Sequence, residues 1–212
     1  MYKKILKYFV FGVSSAVYGW LCLALVVVVT FFESLQSFIS IVFFLPPLIL
    51  ALILYYALNK YNHLKSGRAA LNKLILIVFC ETGWVLAMLV STIGDNFPPV
   101  FDTSFNSVFM TALPASIVGA IFVAFAIYRC LKVSSKLSLI RILSVFVFIS
   151  TIGIALFSFL YPYVLAGAYD LSGRLFDKTF ADTLIYLLLF ISWQIPLFVT
   201  LPVLIDAQPE AL

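Results

Sequence analysis

Charged residues are scarce in this chain. Of its 212 residues, 10% are Asp, Glu, Lys or Arg and 64% are apolar, whereas a typical soluble domain has about 25% charged and about 45–50% apolar residues. So few ionisable side chains cannot cover a surface that faces water. The composition therefore excludes a soluble enzyme, a disordered chain and a disulfide-rich secreted module, and it predicts a polytopic membrane protein whose outer surface faces lipid.

Cysteine and histidine are also scarce, with three residues and one residue respectively. The cysteines form no CxxC pair, so a thiol-exchange enzyme lacks its working residues. The single histidine, His63, cannot supply a zinc or haem site that needs several imidazole ligands. The sequence contains no HExxH, GxGxxG, GxSxG or Walker motif. We therefore expect a non-catalytic protein with no cofactor and no metal site.

Six long apolar stretches are present, each close to the ~20 residues that cross about 30 Å of hydrocarbon. They lie at about residues 9–32, 35–58, 74–94, 107–128, 143–164 and 183–205. No connection exceeds 18 residues, so the sequence predicts one all-α domain over residues 1–212, a bundle of six transmembrane helices. In the longest connection, residues 165–182, Leu171, Leu175 and Phe176 fit one face of a short interfacial helix.

Basic residues lie almost entirely on one side of this topology. Eleven of the thirteen Lys and Arg residues precede the first span or follow the second and fourth spans. The positive-inside rule then places both termini in the cytoplasm, and we expect the inner membrane of a bacterium. The net charge of +4 is thus a sign of topology, and no direct nucleic-acid partner is expected.

The basic residues of the two inner loops form a candidate binding face. We expect this face to contact anionic lipid headgroups or to dock an acidic soluble partner. Its members are Lys60, Lys65, Arg68, Lys73, Arg129, Lys132, Lys136 and Arg141.

One acid, Glu81, lies inside a predicted span. A charged side chain near the centre of a bilayer costs at least ~2.5 kcal/mol. Together with Thr82 and with Ser192 and Gln194 of the last span, Glu81 makes a candidate intramembrane polar site. Two interpretations remain open: a site that binds or couples a proton or cation, or a structural hydrogen bond to a neighbouring span, with Tyr18 among the candidate partners.

The fourth predicted span carries small residues at helical spacing. Such a stripe lets a second helix approach closely, either within the chain or from another copy. We therefore expect a helix-packing face or a homo-oligomer face that comprises Ala112, Ser116, Gly119, Ala120 and Ala124.

Two functional hypotheses follow from these features. In the first, the chain is a non-catalytic membrane subunit, an oligomeric sensor, anchor or pore component that works with a cytoplasmic effector. In the alternative, it is a small ion-coupled transporter or permease in which Glu81 is the coupling acid. The scarcity of polar groups within the spans favours the subunit, and the lone intramembrane acid favours the transporter.

Overall fold

The chain folds into helices. The computed structural model describes residues 2–31, 39–60, 64–93, 104–131, 139–175, 185, 188–189, 191–192, 194–197 and 200–202. Five helices are continuous: α1 (Tyr2–Phe31), α2 (Ile39–Lys60), α3 (Ala69–Ile93), α4 (Phe105–Cys130) and α5 (Leu139–Leu175). The described residues between 185 and 202 are helical and belong to a sixth, α6. The predicted all-α class is confirmed.

Three of these helices are long and apolar enough to cross a membrane. The segments are Ala69–Ser91 in α3, Phe105–Cys130 in α4 and Leu139–Ala168 in α5. Within the described residues, α1 and α2 contribute shorter apolar segments, Tyr8–Cys22 and Phe44–Lys60. The prediction of apolar helices of membrane-spanning length is therefore confirmed for three helices.

The helix ends differ from the predicted span ends, most clearly in α5. This helix begins at Leu139 and continues through Pro162 to Leu175, eleven residues beyond the predicted end of the span. Leu171 and Leu175 thus belong to the C-terminal end of α5 and not to a separate interfacial helix, while Phe176 lies outside the described residues. Hydropathy marks where a helix leaves the apolar layer, but backbone hydrogen bonding continues beyond that point.

Helix α4 lies at the centre of the packing. It packs against both α3 and α5, α3 also packs against α2, and α2 packs against α1. The small residues expected to form a packing or oligomer face are all buried within the single chain: Ala112, Ser116, Gly119, Ala120 and Ala124. This face is therefore used inside the bundle and is not exposed to a second copy.

Large apolar side chains point away from the bundle. Trp20, Ile140 and Tyr163 are each 74% exposed, and Met110 and Phe148 are nearly as open. Such a surface is unfavourable in water but matches the hydrocarbon tails of a bilayer. The outward faces therefore agree with the apolar composition.

Helices α3 and α4 approach each other closely at Gly83. A Cβ atom built on Gly83 would lie 2.6 Å from the Cβ of Phe122 and 3.6 Å from the carbonyl oxygen of Gly119. Beside this contact, the ring of Phe79 lies 6.3 Å from that of Phe122 and 5.2 Å from that of Phe125, between centroids. Lipid provides little hydrophobic drive for helices to associate, so close packing of this kind stabilises the pair.

We expect the substitution Gly83→Ala to lower the free energy of unfolding by about 1–3 kcal/mol, because the new methyl group overlaps an atom fixed to the α4 backbone. Equilibrium unfolding in mixed detergent micelles measures the change. Gly12→Ala is the matched control, since a Cβ on Gly12 meets nothing within 4 Å; it should leave stability unchanged or raise it by up to about 1 kcal/mol. Equal effects of the two substitutions would contradict the close α3–α4 contact.

Candidate functional site

A buried hydrogen bond joins the first helix to the last. The Tyr18 hydroxyl of α1 donates to Oε1 of Gln194 in α6, and both side chains are almost fully buried. One residue further along each helix, a Cβ on Gly19 would lie 3.4 Å from Cδ1 of Ile195. The polar side chain of Gln194 is therefore accommodated by a specific partner where α1 and α6 meet.

Two free thiols accompany this bond. The Cys22 side chain, one turn along α1, hydrogen-bonds with Tyr18, and the Cys80 thiol of α3 is a neighbour of the same tyrosine. All three side chains are buried. We call Tyr18, Cys22, Cys80 and Gln194 the polar cluster; it brings together groups from α1, α3 and α6.

Glu81 follows Cys80 of the polar cluster in the sequence, but its contacts differ from those of the cluster. It is the middle residue of the 25-residue α3, and its side chain is half-buried. Its Oε2 atom is buried and has no hydrogen-bond partner among the described residues. A polar oxygen in that state is costly unless a proton, a cation or water satisfies it.

The four residues predicted for an intramembrane site occupy different environments. Thr82 is exposed, next to the half-buried Glu81. The Ser192 hydroxyl donates to the Leu189 carbonyl oxygen of its own helix at 2.5 Å, and Gln194 is bonded to Tyr18. Among the described residues, therefore, no hydrogen bond joins Glu81 to the polar residues of α6.

Basic side chains gather where α2 and α4 end and α3 and α5 begin. Lys65 is half-buried and the other described members are exposed. Lys132 and Lys136, from the same predicted face, lie outside the described residues. We call the described group the basic end; it comprises Lys60, Lys65, Arg68, Lys73, Arg129 and Arg141.

Hydrogen bonds tie two parts of the basic end together. The backbone N–H of Lys65 donates to the carbonyl oxygen of Cys130 at 3.0 Å, within an antiparallel bridge between Leu64 and Leu131. The Lys65 ammonium Nζ donates to the Arg129 carbonyl oxygen at 2.7 Å. The connection before α3 is thus attached to the C-terminal end of α4.

Asn72 lies at the centre of this attachment. Its side chain is 1% exposed, and its Nδ2 donates to the Lys65 carbonyl oxygen at 3.0 Å. Its own carbonyl oxygen accepts from the Cys130 thiol at 3.4 Å. Between Lys65 and the start of α3, Gly67 has φ = 72°, a conformation that glycine adopts without steric cost. One buried asparagine therefore stabilises the turn through its side-chain amide and contacts α4 through its backbone carbonyl oxygen.

The Arg129 guanidinium is also held in place by its own helix. Its Cζ atom lies 5.6 Å from the ring centroid of Phe125, within the range of a cation–π interaction. Its side chain is nevertheless exposed. The basic end thus presents charge on a backbone that is fixed by internal contacts.

We expect Asn72→Leu to expose the turn at Lys65 and Arg68 to trypsin. Removing the amide leaves the Lys65 carbonyl without its donor, at a cost of about 1–2 kcal/mol, and local opening becomes roughly 5–30 times more populated. Limited proteolysis with mass spectrometry of the products measures cleavage after these residues. Asn59→Leu, at an exposed asparagine in α2, is the control, and equal cleavage of both variants would show that Asn72 does not hold the turn.

Similarity to known proteins identifies no family for this chain. No protein-family model, curated protein or solved structure matches it. Its function is therefore inferred from its own residues, above all the basic end and the half-buried Glu81.

Proposed function

We propose that this chain is a non-catalytic integral membrane subunit whose basic end docks an acidic surface of a soluble cytoplasmic effector. In this proposal six helices span the inner membrane of a bacterium, and both termini lie in the cytoplasm. The subunit acts as a sensor, an anchor or a pore component. If it is oligomeric, the contact between copies uses a face other than the small residues of α4, since these are buried within the chain.

The concentration of exposed positive charge supports this proposal. The described members of the basic end include five exposed cations, and the only acids among the described residues, Glu81 and Asp170, lie elsewhere. Asp170 follows the membrane-crossing segment of α5, at the opposite end of that helix from Arg141. A concentration of exposed charge of one sign attracts a complementary surface and speeds its association.

The fixed backbone of the basic end supports docking in particular. Lys65 is bonded to the carbonyl oxygen of Arg129, and the turn that carries Arg68 is held by Asn72. Charges on an ordered backbone lose less conformational freedom on binding than charges on a free loop. Orientation by the positive-inside rule needs only the number of charges and no such order, so the attachment favours recognition of a shaped partner.

Arg68 and Lys73 are the positions at which to test this proposal. Both side chains are exposed, whereas Lys65 helps to hold the turn. We expect the double charge reversal Arg68→Glu with Lys73→Glu to weaken binding of the effector about tenfold or more, because like charges then face each other. Co-purification in mild detergent at low salt measures retention of an acidic soluble protein in a fixed ratio to the subunit, and raised salt should release it.

Asn106→Glu is the control for this reversal. Asn106 is exposed near the start of α4, at the opposite end of the helix from Arg129, so a new acid there should leave docking unchanged. Equal retention in the native protein and the double variant would disprove docking at the basic end. If only anionic lipids co-purify and depend on these charges, a lipid-binding face replaces the effector.

An ion-coupled carrier is the second candidate function. The observation that favours it is the buried Oε2 of Glu81, which has no partner among the described residues. Intramembrane acids that lack a structural partner commonly lie on proton or cation pathways. Proline residues within α2 and α4, namely Pro46, Pro47 and Pro114, interrupt backbone bonding and are compatible with such a path.

We expect Glu81→Gln to abolish uptake or ion coupling if the chain is a carrier, because glutamine keeps the size of the side chain but cannot exchange a proton. Uptake into vesicles that contain the purified protein, with an imposed pH difference, measures the loss. Val78→Ala, at an exposed position about one turn earlier on α3, should retain activity. Normal coupled uptake by the glutamine variant would rule out Glu81 as the coupling acid.

A further inference from the structure

Glu81 lies at the border between the buried and exposed faces of α3. Cys80 and Trp84 on one side are buried, whereas Thr82 and Val85 on the other are exposed. The carboxyl group therefore has one oxygen, Oε2, enclosed by protein, while the side chain as a whole retains an open side. This position lets a small species reach the carboxyl group without opening the bundle.

The helices that pack on α3 carry their basic side chains far from the Glu81 carboxyl group. On α2, the ionisable side chains of the described residues are Tyr55, Tyr56 and Lys60, all in the last six residues of the helix. On α4 they are Tyr128, Arg129 and Cys130, at the end of that helix. The Cys130 thiol contacts Asn72, nine residues before Glu81, or roughly 13 Å of helix rise.

The other ionisable groups near the middle of α3 belong to the polar cluster, whose phenol and thiols carry no positive charge. Cys80 precedes Glu81 on α3, and Tyr18 and Cys22 hydrogen-bond with each other. On α3 itself, the basic side chain is Lys73, eight residues from Glu81 and exposed. An ionised Glu81 would thus keep a buried oxygen with neither a cation nor a hydrogen-bond donor from the described residues.

We infer that Glu81 is a reversible proton-binding site within the membrane, with the proton acting as the counterion that the protein itself does not provide. A bound metal ion needs several ligands, and the described residues contain no group of three or more His, Cys, Asp or Glu side chains that would hold one. A proton needs only the carboxylate. If the chain is the proposed carrier, the proton is its coupled ion. The proton site itself does not depend on transport.

Dicyclohexylcarbodiimide, an apolar reagent that partitions into bilayers, detects such a carboxyl group. The acid O–H adds across one C=N bond of the reagent: the proton goes to nitrogen and the carboxyl oxygen bonds to carbon, giving an O-acylisourea. Migration of the acyl group to nitrogen then yields a stable N-acylurea. No oxidant or reductant takes part, and the carboxyl group must carry its proton to react in this way.

The test is labelling of the native protein in phosphatidylcholine liposomes at a series of pH values from about 6 to about 9, followed by mass spectrometry of its peptides. We expect the modification on Glu81, with a rate that falls roughly tenfold for each pH unit above the titration midpoint. The Glu81→Gln variant should lose it. Asp170 is exposed and serves as an internal control that the reagent should leave unmodified.

Three results would overturn the inference. The first combines two missing signals: Glu81 is not labelled at any pH, and the native protein shows no infrared C=O band of a protonated carboxylic acid beyond those of Glu81→Gln. Another is a labelling rate that stays constant over the pH range. The third is protection by Na⁺ or K⁺ at constant pH, which would show a monovalent cation site. Absence of uptake with labelling that depends on pH would reject the carrier and leave the proton site in place.

Discussion

Close contact between α3 and α4 is the constraint on which the rest of the molecule depends. At Gly83 the two helices leave no space for even a methyl group beside Phe122, and α4 in turn packs against α5. In lipid, contact of this kind replaces the hydrophobic drive that assembles soluble proteins. It also sets the position of Glu81, two residues before Gly83, and of the α4 end to which Lys65 is bonded.

Sequence periodicity and hydropathy predict which segments are helical better than they predict where each helix begins and ends. The apolar runs of α3, α4 and α5 are long enough to be recognised without a structure, and each is found as a membrane-length helix. The helices extend beyond the predicted spans: α3 begins at Ala69, five residues before its span, and α5 passes Pro162 to reach Leu175. Polar residues at these ends lower hydropathy without breaking backbone hydrogen bonds.

The candidate site was predictable only where a residue type is unusual in its surroundings. Glu81 is conspicuous as an acid within an apolar run, so composition alone identifies it. The pairing of Tyr18 with Gln194 depends on which helices are neighbours, and hydropathy contains no such information. Asn72 was missed because an asparagine in a basic segment looks like an exposed residue; its burial results from the approach of α4, which brings Cys130 against its carbonyl oxygen.

The bond between Tyr18 and Gln194 has a consequence for how the protein is made. The two residues are 176 positions apart, and a ribosome adds about 5–20 residues per second. The tyrosine hydroxyl of the first helix therefore emerges roughly 9–35 s before its acceptor exists. During that interval the Tyr18 hydroxyl lacks its Gln194 acceptor. Assembly of α1 into the bundle therefore finishes only after translation of the last helix.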